Sequence, residues 1–322
     1  MRGKLAKLFT KQEMLEVFER EPNIARAAEE LAEMKGVAVS PQIARYWRKI
    51  VMKHDGNQAA ADRAIKHGKV LRNPSPQDDI GDLTFIPKVA QRILAIGDIH
   101  APYQHPDTLA FLVALRKQFQ PDLCVQIGDE TDGHAISFHD SDPDLLSAGQ
   151  ELEKAKKFLA QLHKEFPQLL ICDSNHGSLV YRRAKVTGIP AAMIKSYRDI
   201  LFPSHGAPGW SWGASWHIET ALGTVMFKHQ KSGSLLSDAA HNRCNLVVGH
   251  EHGLFGVEYG ASSHSLYWGA NTGCLIDRKG LAFAYGKHSL KKPIIGALVI
   301  DQGRPLSVPM ILNDKGRWTG QL

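Results

Sequence analysis

The chain has 322 residues, 43% hydrophobic, 22% charged and 8% aromatic. That is globular composition for about two domains, and it excludes a disordered chain, a collagen-like repeat and a coiled coil. The net charge of +6 sits in the first 72 residues, where 15 Lys/Arg face 9 Asp/Glu; the remaining residues carry 24 of each sign. An excess confined to one segment points to an acidic partner for it, nucleic acid being the commonest. No uncharged apolar run approaches the roughly 20 residues of a membrane helix, and charges interrupt the start of the chain where a signal peptide needs an apolar core. The expectation is a cytoplasmic protein with no membrane partner. Cys124, Cys172, Cys244 and Cys274 are scattered, with no zinc-finger spacing, and read as reduced thiols, most of them buried as small hydrophobes.

Residues 1–72 read as a basic module of short helices. Thr10 is placed to cap a helix through Met14, Leu15 and Phe18, which Glu21-Pro22 ends. Asn23 caps a second helix that stops at Lys35-Gly36. Ser40 followed by Pro41 starts a third, from Gln42 to about Lys53. There Ile43, Trp47 and Ile50 form the expected buried face, leaving Gln42, Arg45, Tyr46, Arg48 and Lys49 outside. Three helices with Gln/Arg/Lys early in the third resemble a helix-turn-helix DNA-binding unit. In that arrangement Gln42 and Arg45 would reach base edges while Arg48 and Lys49 neutralise phosphates. Small trihelical units also dock proteins. Asp55–Arg72 extends the helical composition, and 73–90, beginning Asn73-Pro74-Ser75-Pro76, reads as a linker.

From residue 91 the pattern changes to apolar runs, the mark of strands buried on both faces: Arg92–Gly97, Asp122–Gly128, Leu169–Cys172 and Leu246–Gly249. Helical stretches Thr108–Phe119 and about Leu146–Phe166 lie between the first three. That alternation predicts an α/β domain over 91–322 with adjacent parallel strands. Trp210–Ile218, Gly223–His229, Gly256–Tyr259, Ser265–Gly269 and Ile294–Asp301 predict a second sheet packed on the first.

The runs end in residues that bind metals: Asp98-Ile99-His100, Asp129-Glu130, Asn175-His176, His229 and His250-Glu251-His252. Side chains at i and i+2 of an extended segment share a face, so Asp98 with His100, and His250 with His252, can converge. Ligand sites form at the carboxyl ends of strands in α/β sheets. Singly, each residue has a duller reading as a cap or a hydrogen-bonded packing group. The ordered set is far harder to explain that way.

That set, from about Arg92 to Ile276, resembles the calcineurin-like metallophosphoesterase superfamily. The resemblance implies an α/β (α+β) sandwich of two mixed β-sheets flanked by helices, with two divalent metal ions. It gives Asp98, His100, Asp129 and His252 to one metal and a bridging Asp129, Asn175, His229 and His250 to the other, with His176 as the catalytic histidine. Mixed His and carboxylate ligands suit Mn²⁺, Fe or Zn²⁺. The sequence departs from the family at Ser174-Asn175-His176-Gly177, where a following acid is usual, and at His229-Gln230, which leaves His217 and His241 as rivals to His229. Asp132 is expected beside the ligands, and His134 with His139–Asp142 in an acidic surface loop. Arg182 and Arg183 are either a phosphate clamp or ordinary surface residues.

The substrate expected from these features is nucleic acid, DNA before RNA, cleaved at its phosphodiester bonds. The alternative is a phosphatase or small-nucleotide phosphodiesterase whose helical module docks a protein, and a third is a DNA-binding protein with an inert core. The oligomeric state is open, a homodimer included.

Overall fold

The structure is a computed structural model that describes residues 8–21, 23–52, 84–86, 89–138, 142–280, 282–283 and 290–322. The chain divides into two compact units, Met1–Pro74 and Ser75–Leu322. The helix expected within Asp55–Arg72, the prolines at 74 and 76, and His139-Asp140-Ser141 lie outside the described residues. Among the described residues no helix is long and apolar enough to cross a membrane.

The first unit contains α1 (Lys11–Arg20), α2 (Ile24–Lys35) and α3 (Pro41–Val51). Each begins at a residue chosen by backbone chemistry. Thr10 and Glu13 form a reciprocal capping box on α1. Asn23 Oδ1 accepts from Ala25 N at 2.9 Å, and Ser40 Oγ accepts from Ile43 N with Pro41 opening α3. Gly36 ends α2 with φ of 65°, a left-handed turn that glycine adopts without strain. Met14, Phe18, Ala28, Leu31, Ala44 and Val51 meet in one small core. The buried residues of α3 are Ala44, Arg48 and Val51; of the expected face, Ile43 and Trp47 are partly buried against the same core, and Ile50 is not. Arg48 is only 6% exposed, while Ile50 is 44% exposed. The reason is that α3 packs against both α1 and α2, which extends its buried face from Ile43 and Trp47 to the adjacent stripe of Ala44, Arg48 and Val51. The assignment of Arg48 to phosphate contact is therefore corrected; its long stem serves as packing surface.

The second unit runs β1 (Thr84–Ile86), β2 (Arg92–Ile96), α4 (Thr108–Phe119), β3 (Leu123–Gln126), α5 (Ala148–Glu165), β4 (Leu169–Cys172), α6 (Leu179–Val186), α7 (Tyr197–Leu201), β5 (Trp210–Gly213), β6 (Trp216–Thr220), β7 (Gly223–Phe227), α8 (Leu235–Asn242), β8 (Asn245–Val248), β9 (Phe255–Ala261), β10 (Leu266–Thr272), β11 (Gly296–Asp301) and β12 (Arg304–Pro309). Two six-stranded mixed sheets result, in the orders β12-β11-β2-β3-β4-β5 and β1-β6-β7-β8-β10-β9. β2, β3 and β4 are parallel neighbours, as expected, and β7 and β8 are parallel in the other sheet.

Period-2 alternation divides each strand between two cores. Ile93 and Ala95 of β2, Val225 and Phe227 of β7, and Leu298 and Ile300 of β11 face the layer between the sheets. Leu94, Ile96, Ala297 and Val299 instead meet α4 and α5 on the outer face of the first sheet. Met226, Leu246 and Val248 pack under α8 on the outer face of the second. The unit is a two-sheet sandwich flanked by helices.

Three expectations shift. Trp210–Ile218 is two strands in different sheets, because β5 pairs with β4 and β6 with β7. The chain crosses at Gly213, where a Cβ would stand 2.9 Å from the Trp216 indole. The 294–301 segment joins the first sheet, antiparallel to β2; its strand residues Gly296–Ile300 are all buried, a pattern that does not say which sheet it serves. β1 lies within the stretch read as linker and pairs with β6.

The C-terminal segment is pinned to the start of α4. Arg317 Nε donates to Asp107 Oδ2 at 2.8 Å and Trp318 N donates to the same oxygen at 2.9 Å. The Arg317 guanidinium holds the Asp107 carboxyl down at about 2. A carboxyl depressed below its unfolded value of about 3.9 stabilises the fold above that pH and loses its contribution as pH falls towards 2. Asp107→Asn should therefore lower the melting temperature at neutral pH, with the gap from wild type closing between about pH 4 and 2. Thermal unfolding across that range checks it; a gap independent of pH would refute it.

Candidate metal centre

All seven expected ligands meet at one place, the carboxyl ends of β2, β3, β4, β7 and β8. Gly97-Asp98 follows β2, Gly128-Asp129 follows β3 and Asn175 follows β4, while His229 follows β7 and Gly249-His250 follows β8. Because the parallel strands of both sheets point their ends the same way, five distant segments deliver side chains to one spot.

Asp98 and Asp129 are buried, at 0% and 1% exposure. Asp98 Oδ2 accepts from the His250 N–H at 2.8 Å and lies 3.1 Å from His252 Nε2; its Oδ1 has no hydrogen-bond partner. His100 Nε2 stands 3.1 Å from His252 Nε2 and 3.5 Å from Asp129 Oδ2. The same Asp129 oxygen is 3.2 Å from His229 Nε2. Asn175 Oδ1 is 2.8 Å from that nitrogen, and the His250 ring lies 5.1 Å from the His229 ring. Asp129 is thus the carboxylate shared by both halves of the cluster.

The outer nitrogens fix what the inner ones can do. His229 Nδ1 lies 3.0 Å from the Ile127 carbonyl oxygen, which can only accept. His100 Nδ1 is 2.6 Å from Asp132 Oδ1. Each Nδ1 therefore carries the proton and each neutral Nε2 presents a lone pair inward. The Nε2 lone pairs of neutral His100 and His229 then face the Asp129 carboxylate, an arrangement that a cation resolves, while Gln230 Nε2 donates to Asn175 Oδ1 at 3.4 Å. In the protein alone a proton takes that place on His229: burial lowers its pKa, but Asp129 outweighs this and carries it up to about 9. The Asp129 carboxyl is held well below its usual range, since His229, His176 and His100 together overcome the opposing effect of burial. His and carboxylate donors in this pattern fit a divalent metal of the Mn²⁺, Fe or Zn²⁺ kind. Asp98, His100 and His252 form one group able to hold a metal and Asp129, His229 and His250 another; ligand atoms in each lie within 4.8 Å of one another.

The backbone is bent to make this meeting possible. His100, Asp129 and His250 have φ of 53°, 53° and 67°, a left-handed region that costs non-glycine residues about 1–3 kcal/mol. Gln126 braces the Asp129 turn, accepting from Gly128 N at 2.8 Å and donating to Gly128 O at 2.6 Å. Asn271 Nδ2 donates to Gly249 O at 3.2 Å. Sequence reasoning passed over both residues; each lies inside a strand, and neither carries a local signal. Glu130, next to Asp129, accepts from Trp212 Nε1 at 3.0 Å, and burial pushes its carboxyl up to about 7.

His176 sits beside the cluster. Its backbone N–H donates to Asp129 Oδ1 at 3.1 Å, its Nδ1 donates to the Asp132 carbonyl oxygen, and its ring lies 4.5 Å from that of His100. Burial lowers its pKa, yet Asp129 and Asp132 raise it overall. Asp132 holds His100 from outside, as expected. The rivals to His229 lie elsewhere: His217 in β6, paired opposite Met226, and His241 exposed in α8. Arg182 donates to the Asn175 carbonyl at 3.2 Å and Arg183 to that of Ile136 at 2.6 Å. Both guanidinium groups lie over the Phe138 ring, so they are engaged by the backbone and the ring of neighbouring segments.

Fold and site together define a two-sheet α/β sandwich with adjoining His/carboxylate groups able to hold metal at its strand ends. No family model matches the chain, and no curated protein matches it. Among solved structures it is similar to Vps29 of Chaetomium thermophilum, at 14% identity and a TM-score of 0.36 over 72% of this chain and 94% of that one. It is also similar to Vacuolar Protein Sorting 29 of Cryptosporidium parvum, at 13% identity and a TM-score of 0.32 over 69% of this chain and 97% of that one.

Gly249 offers a test of the cluster. A Cβ there would fall 2.2 Å from Asp98 Oδ1, so the carboxylate must move. Gly249→Ala should weaken Mn²⁺ binding, measured calorimetrically, by about 10–100-fold with the far-UV circular dichroism unchanged. Undiminished affinity would show that Asp98 is no ligand.

Proposed function

We propose that the chain is a calcineurin-like metallophosphoesterase that hydrolyses phosphodiester bonds with two divalent metal ions, Mn²⁺ foremost, and that its substrate is DNA. The observation that carries this reading is the convergence of Asp98, His100, His229, His250 and His252 around Asp129. Asp98, His100, Asp129 and His252 would hold one ion, and Asp129, Asn175, His229 and His250 the other. Bound there, the metals supply charge neutralisation for phosphate oxygens and lower the pKa of water towards ~7.

The remaining chemistry belongs to the chain. His100 and His229 keep their protons on Nδ1, turned away from substrate, through Asp132 and the Ile127 carbonyl. His176 is held the same way by the Asp132 carbonyl, which leaves Nε2 as its working atom. Against the effect of burial, Asp129 and Asp132 raise its pKa above the ordinary imidazole value, which favours a second proton on Nε2, fit for donation to the departing ester oxygen. The carboxylates of Asp129 and Asp132 hold that charge in place.

The N-terminal unit supports DNA as the substrate. Gln42, Arg45 and Lys49 are exposed on α3 at intervals of three and four residues, one stripe of the helix. Arg45 and Lys49 would neutralise phosphates, and Gln42 would meet base edges. Such a unit raises the local substrate concentration for a centre that does not itself read sequence.

Incubating the protein with Mn²⁺ and labelled linear, nicked, circular and single-stranded DNA, beside bis-p-nitrophenyl phosphate and phosphomonoesters, tests the reading directly. Hydrolysis of phosphomonoesters alone would replace DNA by a small ester, and no Mn²⁺-dependent hydrolysis at all would leave the domain inert.

Two variants probe the parts. His176→Asn should slow hydrolysis by about 10²–10⁴-fold with Mn²⁺ binding retained, as read by single-turnover kinetics and calorimetry. The double variant Arg45→Ala/Lys49→Ala should weaken DNA binding and reduce the slope of log K against log salt by about 2. Its rate on bis-p-nitrophenyl phosphate should not change. An unaltered salt slope would remove α3 from the DNA interface.

A further inference from the structure

Beside His176 a cavity of about 290 Å³ opens between α5, α6 and α7. Its walls include Leu152, Val180, Ile200 and Leu201, together with His176 and Tyr197. Apart from His176, the polar side chains that line it are already engaged. Thr131 Oγ1 and Tyr197 OH bond each other at 2.7 Å. The Glu151 carboxylate accepts from the backbone N–H groups of His134 at 2.9 Å and Ala135 at 3.2 Å. The space therefore offers hydrocarbon and ring faces. Apolar cavities of about 150 Å³ bind benzene, so this one has ample room for a ring.

We infer that this cavity is a subsite for an apolar ring carried on the leaving oxygen of the substrate. His176 is common to the cavity and the metal centre, which places such a ring next to the group that meets that oxygen. A nucleobase fits poorly, because its edge bears donors and acceptors that would be buried without partners. The inference rests on the phosphoester reading of the metal centre, and it extends the substrate class from DNA to phosphate esters of phenols and other apolar alcohols.

The test compares phenylphosphonate with methylphosphonate as inhibitors of the Mn²⁺-loaded enzyme, and toluene as a stabiliser of the metal-free protein in thermal unfolding. Wild type should bind phenylphosphonate about tenfold more tightly than methylphosphonate, and toluene should raise its melting temperature. Of the wall residues, Gly149 is exposed and a Cβ there meets nothing within 4 Å, whereas Ala155 is buried. Gly149→Phe and Ala155→Leu should each bring the inhibition ratio towards one and remove the toluene shift.

Equal inhibition by the two phosphonates in wild type overturns the proposal, as does a ratio that survives both substitutions. Tighter binding of thymidine 5′-monophosphate than of phenylphosphonate, with the margin lost in Gly149→Phe, would give the cavity to a base and also overturn it. Failure of the phosphoester reading looks different: methylphosphonate does not inhibit and no Mn²⁺-dependent hydrolysis is seen. The proposal then falls with it, even where toluene still raises the melting temperature.

Discussion

The structure is organised around an electrostatic conflict. Three buried carboxylates (Asp98, Asp129 and Asp132) and four imidazoles (His100, His176, His229 and His252) are held within a few ångströms of one another, with Nε2 of His100 and His229 aimed inward. Packed apolar side chains would avoid the desolvation of so much charge. What keeps the groups in place is the frame behind them: the Ile127 carbonyl behind His229, the Asp132 carboxylate behind His100, and Gln126 and Asn271 fastening the turns. The charges lean on hydrogen bonds that are themselves anchored in strands.

That frame needs both sheets. The first supplies Asp98, Asp129 and Asn175 from three parallel neighbours, and the second supplies His229 and His250 from two more. The inter-sheet layer of Ile93, Val125, Val225, Phe227 and Val247 sets the spacing between them. Interiors pack as densely as organic crystals, so this layer transmits position: a methyl group too many near Gly249 would be felt at Asp98. The left-handed backbone at His100, Asp129 and His250 is tolerated because the strands on either side over-determine it.

Much of this was legible locally. Thr10, Asn23, Ser40 and Gly36 announce helix ends through their own hydrogen-bonding chemistry, and α4 spans the very stretch its apolar spacing indicates. The ligands could be found because each follows an apolar run, and strand ends are where chains turn. The misreadings share a cause. Arg48 was assigned outward from the periodicity of one helix, whereas its burial depends on where two other helices lie. Trp210–Ile218 is a single apolar stretch until Gly213 lets it cross from one sheet to the other. Gln126 and Asn271 are ordinary strand residues until the fold brings a glycine turn to each.

The apolar strands, the helix caps and the kinds of side chain at each strand end were readable from the chain alone, because these depend on a residue and its near neighbours. Folding settled which sheet each strand joins, which histidine among His217, His229 and His241 reaches the cluster, and that a ring-sized apolar space adjoins His176. Those outcomes arise from groups far apart in the chain meeting through packing, and no local pattern encodes a distance between segments that touch only after folding.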